Sequence, residues 1–174
     1  MVQCFKSRFD YGVIIMKLKG VRMEDFTNYK KPSMFLAFPS CNFKCEKECG
    51  MRVCQNGTLA QAPNIEISVQ ELVDKYLSNP ITSAVVCGGL EPFDDFEDLW
   101  RFIFCLRVKG CNDDVVVFTG YNKNEIPEEY LRRLTVVSNI IIKWGRYIPN
   151  QQSHYDPILG IQLASDNQFA ERIS

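Results

Sequence analysis

Residues 84–118 read AVVCGGLEPFDDFEDLWRFIFCLRVKGCNDDVVVF, and this stretch decides the fold. Ala84-Val85-Val86-Cys87 is a short apolar run that stops at Gly88-Gly89, the pattern of a buried strand running into a turn. Phe96–Val108 then spaces its apolar residues helically and closes on Lys109-Gly110, a basic last turn followed by a C-cap glycine. Val115-Val116-Val117-Phe118 is a second buried run, closed by Thr119-Gly120-Tyr121. Strand, helix and strand in this order make a βαβ unit, whose strands are parallel and covered on both faces.

The same alternation extends in both directions. Upstream, Met34–Phe38 is an apolar run behind Pro32, and Ser68-Val69-Gln70-Glu71 is a capping box that opens a helix over Val69–Leu77. Downstream, Pro127–Leu134 reads as a short helix with proline in its first turn, and Asn139–Trp144 as a fourth strand. The expected fold class is therefore α/β with a mostly parallel sheet. A length of 174 residues fits a single domain spanning 1–174. Residues 1–15 carry no clear pattern and read as an extension outside the core, with Met16 as good a start as Met1. Gly145–Ser174 reads as loop, with one helical turn near Asn167–Ile173.

Composition excludes several classes. Hydrophobic residues make up 46% and charged residues 24%, which is ordinary for a globular chain and unlike a disordered one. Twenty basic and 21 acidic side chains leave a net charge of -1, without the excess of a nucleic-acid or membrane-surface binder. No apolar run reaches a membrane span or a signal-peptide core, so a cytoplasmic location is expected.

Cysteine is the outlier. Eight are present in 174 residues, about 4.6% and below the roughly 8–10% of a disulfide scaffold, and four of them, Cys41, Cys45, Cys49 and Cys54, crowd into one polar loop after the first strand. In a reducing compartment such a cluster binds metal or does redox chemistry. Two chemistries remain open at this point. Four thiolates can complete a structural zinc tetrahedron, although the gaps of three, three and four residues differ from the two-residue gap usual within a zinc pair. Three thiolates can instead hold a [4Fe-4S] cluster and leave one iron open to a further ligand. After the second strand, Gly88-Gly89-Leu90-Glu91-Pro92 allows close backbone approach and offers a carboxylate for a cationic amine. Ligands of parallel sheets bind beyond the carboxyl ends of the strands, where all these segments lie.

Cys41-x3-Cys45 after a first strand, Cys54-x-Asn56 and then Gly-Gly-x-Glu-Pro after the second resemble the radical S-adenosylmethionine (SAM) superfamily. In particular the chain is similar to the anaerobic ribonucleoside-triphosphate reductase activating proteins. Phe118-Thr119-Gly120-Tyr121, Gly145-Arg146-Tyr147-Ile148-Pro149 and Ala164-Ser165-Asp166-Asn167-Gln168 follow in the same order, so the resemblance covers about 17–173. It implies a small partial (β/α) barrel, a [4Fe-4S] cluster on Cys41, Cys45 and Cys54, and SAM bound to the open iron. Gly88, Gly89 and Glu91 would hold its methionine moiety, while Thr119 and Gly120 would line the site. No further side chain is assigned a catalytic role. The implied activity is reductive cleavage of SAM to a 5'-deoxyadenosyl radical that takes hydrogen from a glycine of a partner enzyme. Flavodoxin or ferredoxin would supply the electron; neither nucleic acid nor membrane is expected as a partner.

The chain departs from that pattern in two places. The usual gap between the second and third cysteines is two residues, whereas here it is three to Cys49 or eight to Cys54, and Cys54 is favoured because Gln55-Asn56 completes the cysteine-x-asparagine ending. Leu90 is also extra between the glycines and Glu91. The alternatives are SAM chemistry on a small molecule or nucleotide, and a zinc-stabilised module that binds a partner without chemistry.

Overall fold

Four parallel strands carry the molecule: β3 (Ser33–Phe38), β5 (Ala84–Gly89), β6 (Asp114–Phe118) and β7 (Ile140–Trp144). The computed structural model describes residues 14–174. Before β3 come β1 (Ile15–Leu18) and β2 (Gly20–Asp25); between β3 and β5 lie α1 (Lys44–Cys49), α2 (Gly57–Gln61), β4 (Ile65–Ser68) and α3 (Val69–Ser78). Helices α4 (Phe96–Val108) and α5 (Glu128–Thr135) connect the later strands, and β8 (His154–Asp156), β9 (Ile161–Leu163) and β10 (Phe169–Arg172) complete the chain. The main sheet has the order β10-β7-β6-β5-β3-β2, with antiparallel strands at both edges. It is a mixed α/β fold with an open, mostly parallel sheet, compatible with a partial rather than a closed barrel.

Strand alternation divides the core in two. Val85, Cys87, Val115, Val117, Ile140 and Ile142 face the helices, where they meet Leu72, Leu99, Phe102 and Ile103. Val86, Val116 and Ile141 face the other way, against Tyr29, Leu159 and Leu163. Both faces are thus covered, one by helices and the other by the short β8–β9 hairpin and its turn. The helix starts follow local chemistry. Ser68 Oγ accepts from the Glu71 N–H at 3.1 Å, as the capping box requires, while the Glu71 carboxylate pairs with Lys75.

Two expectations change. The tail near Asn167–Ile173 is not a helical turn but β10, which pairs antiparallel with β7 from Phe169↔Trp144 to Arg172↔Ile141. Without it β7 would be an open edge in the apolar core, so pairing outweighs the weak local preference of Phe-Ala-Glu-Arg. Residues 14 and 15 also join the fold: Ile14 packs on the core, and its carbonyl accepts from Val69 N at 2.9 Å. The remainder of the patternless segment, 1–13, lies outside the described residues. Gly88 and Gly89 belong to β5 itself, and at Gly89, φ 82°, an added Cβ would stand 2.8 Å from Ala37 Cα, a position only glycine fills.

Candidate functional site

Beyond the carboxyl ends of the parallel strands lies a cavity of about 420 Å3, within the usual range of roughly 300–1,000 Å3 for small-molecule sites. Cys41, Cys45 and Cys54 form part of its wall, and Gly89, Glu91, Thr119 and Gly120 also line it. Of the residues singled out in the sequence, Gly88 stands apart: an added Cβ there would meet the Phe35 ring at 3.2 Å and Phe118 Cβ at 3.5 Å, so it serves packing under the floor. Cys49 does not line the cavity.

The path of the cysteine loop explains that division. Phe43 adopts a left-handed conformation, φ 54°, and its N–H lies 3.2 Å from Cys41 Sγ as α1 begins. Gly50, φ 65°, ends the helix, and the chain doubles back until Cys54 N donates to Glu46 Oε1 at 3.3 Å. Cys54 therefore returns beside the start of α1, next to Cys45, while Cys49 is left at the far end. Burial pushes both the Cys41 thiol, to about 11, and the Cys45 thiol up; nearby Cys45 adds to the first and Cys54 to the second. Backbone N–H groups, of Phe43 at Cys41 and of Cys45 and Glu46 at Cys45, pull the other way. Among the described residues no three His, Cys, Asp or Glu side chains are gathered closely enough to hold a metal ion, so the loop cysteines share a cavity wall without converging on one point.

Glu91 forms the opposite corner. It caps the 3-10 turn Pro92–Asp95 by accepting from Phe93 N, and it also accepts from Thr119 Oγ1 at 2.8 Å and Gly120 N at 2.9 Å. Burial nevertheless pushes its carboxyl up to about 7, against the pull of those three donors. Since a carboxylate offers about four lone-pair positions, one remains, on Oε2. Thr119 and Gly120 thus act by holding Glu91 as well as by lining the cavity.

A model of the family described as the 4Fe-4S single cluster domain matches residues 15–168, from β1 to β9 and across the whole cysteine loop. The chain belongs to this family. No curated protein matches it. A 4Fe-4S domain draws on soft thiolate ligands and is suited to redox chemistry; the Cys41–Cys54 loop concentrates four of the seven described cysteines. None of the described helices is long and apolar enough to cross a membrane.

In this 4Fe-4S domain the loop is docked almost wholly by polar contacts, because neither α1 nor α2 buries a residue. Asn56 Nδ2 donates to Gly89 O at 2.6 Å, joining the Cys54-x-Asn56 ending to the glycine turn. Asn42 Nδ2 donates to Tyr121 Oη at 2.6 Å, and Tyr121 donates in turn to Asp94. Arg146 binds Glu48 of α1 and Glu125 beyond β6, and Lys44 pairs with the same Glu125. Burial would raise the Glu125 carboxyl, but the Asn122 N–H, Lys44 and Arg146 outweigh it and hold the group at about 2.

Sequence reasoning gave no role to Lys143 or to the Arg146 clamp. Lys143 lies on the face of β7 turned away from the helices, lines the cavity and is only 8% exposed. Its signal was present as a single lysine in Ile140–Trp144, a strand otherwise wholly apolar.

Proposed function

We propose that the chain is a radical SAM enzyme whose [4Fe-4S] cluster is held by Cys41, Cys45 and Cys54. The observation that carries this reading is the facing of those three thiols, in one cavity, by the Glu91–Thr119–Gly120 corner. Three cysteines in the wall of one cavity, with Cys49 outside it, suit a cluster held by three thiolates better than a closed Cys4 zinc site. When bound, such a cluster supplies an open iron and one electron, enough to break the sulfonium C–S bond of SAM into methionine and a 5'-deoxyadenosyl radical.

The chain's own residues do the rest by position. Glu91 Oε2 accepts a hydrogen bond from the SAM amine at its free lone pair, while Thr119 Oγ1 and Gly120 N keep the carboxylate aimed. Gly89, a position only glycine fills because a Cβ would meet Ala37, brings its backbone into the cavity wall. Phe35 and Phe118, which also line the cavity, exclude water from a radical that would otherwise be quenched. A glycine of a partner enzyme brought to the cavity would give up a hydrogen atom there, leaving a glycyl radical and 5'-deoxyadenosine. Resemblance to the activating proteins makes an anaerobic ribonucleotide reductase the partner and a flavodoxin or ferredoxin the electron donor.

Anaerobically reconstituted protein reduced with dithionite should convert SAM to 5'-deoxyadenosine and methionine in equal amounts, read by liquid chromatography. SAM recovered intact from protein carrying a full cluster would overturn the reading.

A further inference from the structure

A one-electron reduction needs a way in for the electron. In the reading above, the cavity side of Cys41, Cys45 and Cys54 is taken by SAM and by the glycine of a partner enzyme. The other side is the surface of the cysteine loop, since neither α1 nor α2 buries a residue. Much of that surface is residues 46–53, eight residues between Cys45 and Cys54 where the pattern the chain resembles has two.

The charges of this segment are sorted. Both of its carboxylates are engaged by the protein: Glu46 accepts from Cys54 N at 3.3 Å, and Glu48 pairs with Arg146 at 3.0 Å. Its two cations are not. Among the described residues the ion pairs of the loop run only through Lys44 and Glu48, which leaves the exposed Lys47 and Arg52 without a partner. Each of the two stands two residues from a cysteine of the cavity wall, Lys47 from Cys45 and Arg52 from Cys54. Beside Arg52, just past the turn at Gly50, Met51 is 59% exposed. The insertion therefore shows solvent an adaptable apolar side chain and two unpaired positive charges.

We propose that the 46–53 insertion is the docking surface for an acidic one-electron carrier protein, which Lys47 and Arg52 attract and Met51 touches. This rests on the reading above that the loop holds a cluster, and it gives the insertion the task of receiving the electron. A small apolar contact beside charges of one sign suits a carrier that must bind briefly and leave. Electron-transfer encounters bury little surface, under about 1,200 Å2, and opposite charges raise their rate of association more than their affinity. Docking here brings the carrier's redox group to within a few residues of the thiols, and tunnelling weakens steeply with distance. The carrier is oxidised and the cluster reduced by one electron each, with no bond made or broken.

The test is stopped-flow reduction of anaerobically reconstituted wild-type, Lys47→Glu/Arg52→Glu and Lys47→Ala/Arg52→Ala proteins, with iron content measured alongside. One reductant is flavodoxin hydroquinone, an acidic protein; the other is photoreduced 5-deazariboflavin, which is small and has no net charge. With flavodoxin the wild-type rate should fall at least about fivefold as salt is raised, whereas the charge reversal should slow reduction at least about tenfold at low salt and remove the salt dependence. The alanine pair should lie between them, and it carries the test if the reversal takes up less iron. With deazariboflavin all three proteins should agree within about twofold. Equal slowing with both reductants would make the two cations struts of the loop and overturn the proposal, as would a flavodoxin rate indifferent to residues 47 and 52. Protein whose cluster is reduced but leaves SAM intact would overturn the enzyme reading and not the docking surface, whereas protein that takes up no cluster would overturn both.

Discussion

From Ala84 to Gly88 every residue of β5 is buried, whereas α1 and α2, which carry the cysteine loop, bury none. The sheet is held by apolar contact on both faces, at roughly 1.5–3 kcal/mol for each fully buried large side chain. The loop is held by hydrogen bonds and ion pairs at its rim, each worth about 1 kcal/mol or less where water reaches it. The difference separates two properties that are often treated as one. Folding belongs to the strands and helices, and the geometry of the thiols belongs to a few polar contacts and to whatever the thiols bind.

The sharpest way to break that comparison is to remove one thiol. Cys54→Ala should abolish cluster incorporation, measured as iron per chain, and leave the unfolding free energy of the apoprotein within about 0.5 kcal/mol of wild type, as for a change away from the core. Cys49→Ala should keep the cluster, and the reverse pattern would reassign the third ligand. Leu99→Ala acts on the other region: the side chain is fully buried in α4, and its loss should cost about 2–5 kcal/mol by urea denaturation.

Arg146→Met is a probe of the boundary between the two. It removes the clamp on Glu48 and Glu125 and should cost only about 1–2 kcal/mol, yet it should speed protease cleavage within 41–54 and make cluster uptake more sensitive to salt. Cleavage at the wild-type rate would show that the clamp does not hold the loop.

The smallest effect is set by pH. The folded Glu125 carboxyl is held at about 2, below its ordinary value of 4.5, so the unfolded chain binds the proton more readily in between. Its contribution is present above the ordinary value and is lost as pH falls toward 2. The stability gap between wild type and Glu125→Gln should therefore narrow from pH 5 to pH 3. A constant gap would mean that the ion pairs contribute nothing.

Much of this was legible in the sequence where the period was strong. Phe96–Val108 is a helix with the bounds its apolar spacing gives, and the apolar runs around Val86, Val116 and Ile141 are the central strands. Short elements were less legible. β8, β9 and β10 have three or four residues each, too few for a period, and they exist because β7 and its apolar face need covering. The convergence of the cysteines with Glu91, Thr119 and Gly120 followed from parallel topology, which gathers strand ends at one edge. Why Cys54 rather than Cys49 lines the cavity depends on the reversal at Gly50 and the contact of Cys54 N with Glu46, which no spacing rule contains. Lys143 was hidden because one charge in an apolar strand says little until the face it lies on is known.

In the proposed enzyme Cys41, Cys45 and Cys54 would hold a cluster with an iron open to SAM. The most direct test is an electron paramagnetic resonance spectrum of anaerobically reconstituted, dithionite-reduced protein with and without SAM. A reduced [4Fe-4S] signal that changes shape on adding SAM, and is lost in Cys54→Ala but kept in Cys49→Ala, is the predicted result. A silent sample with one zinc per chain and all four loop cysteines shielded from alkylation would contradict it.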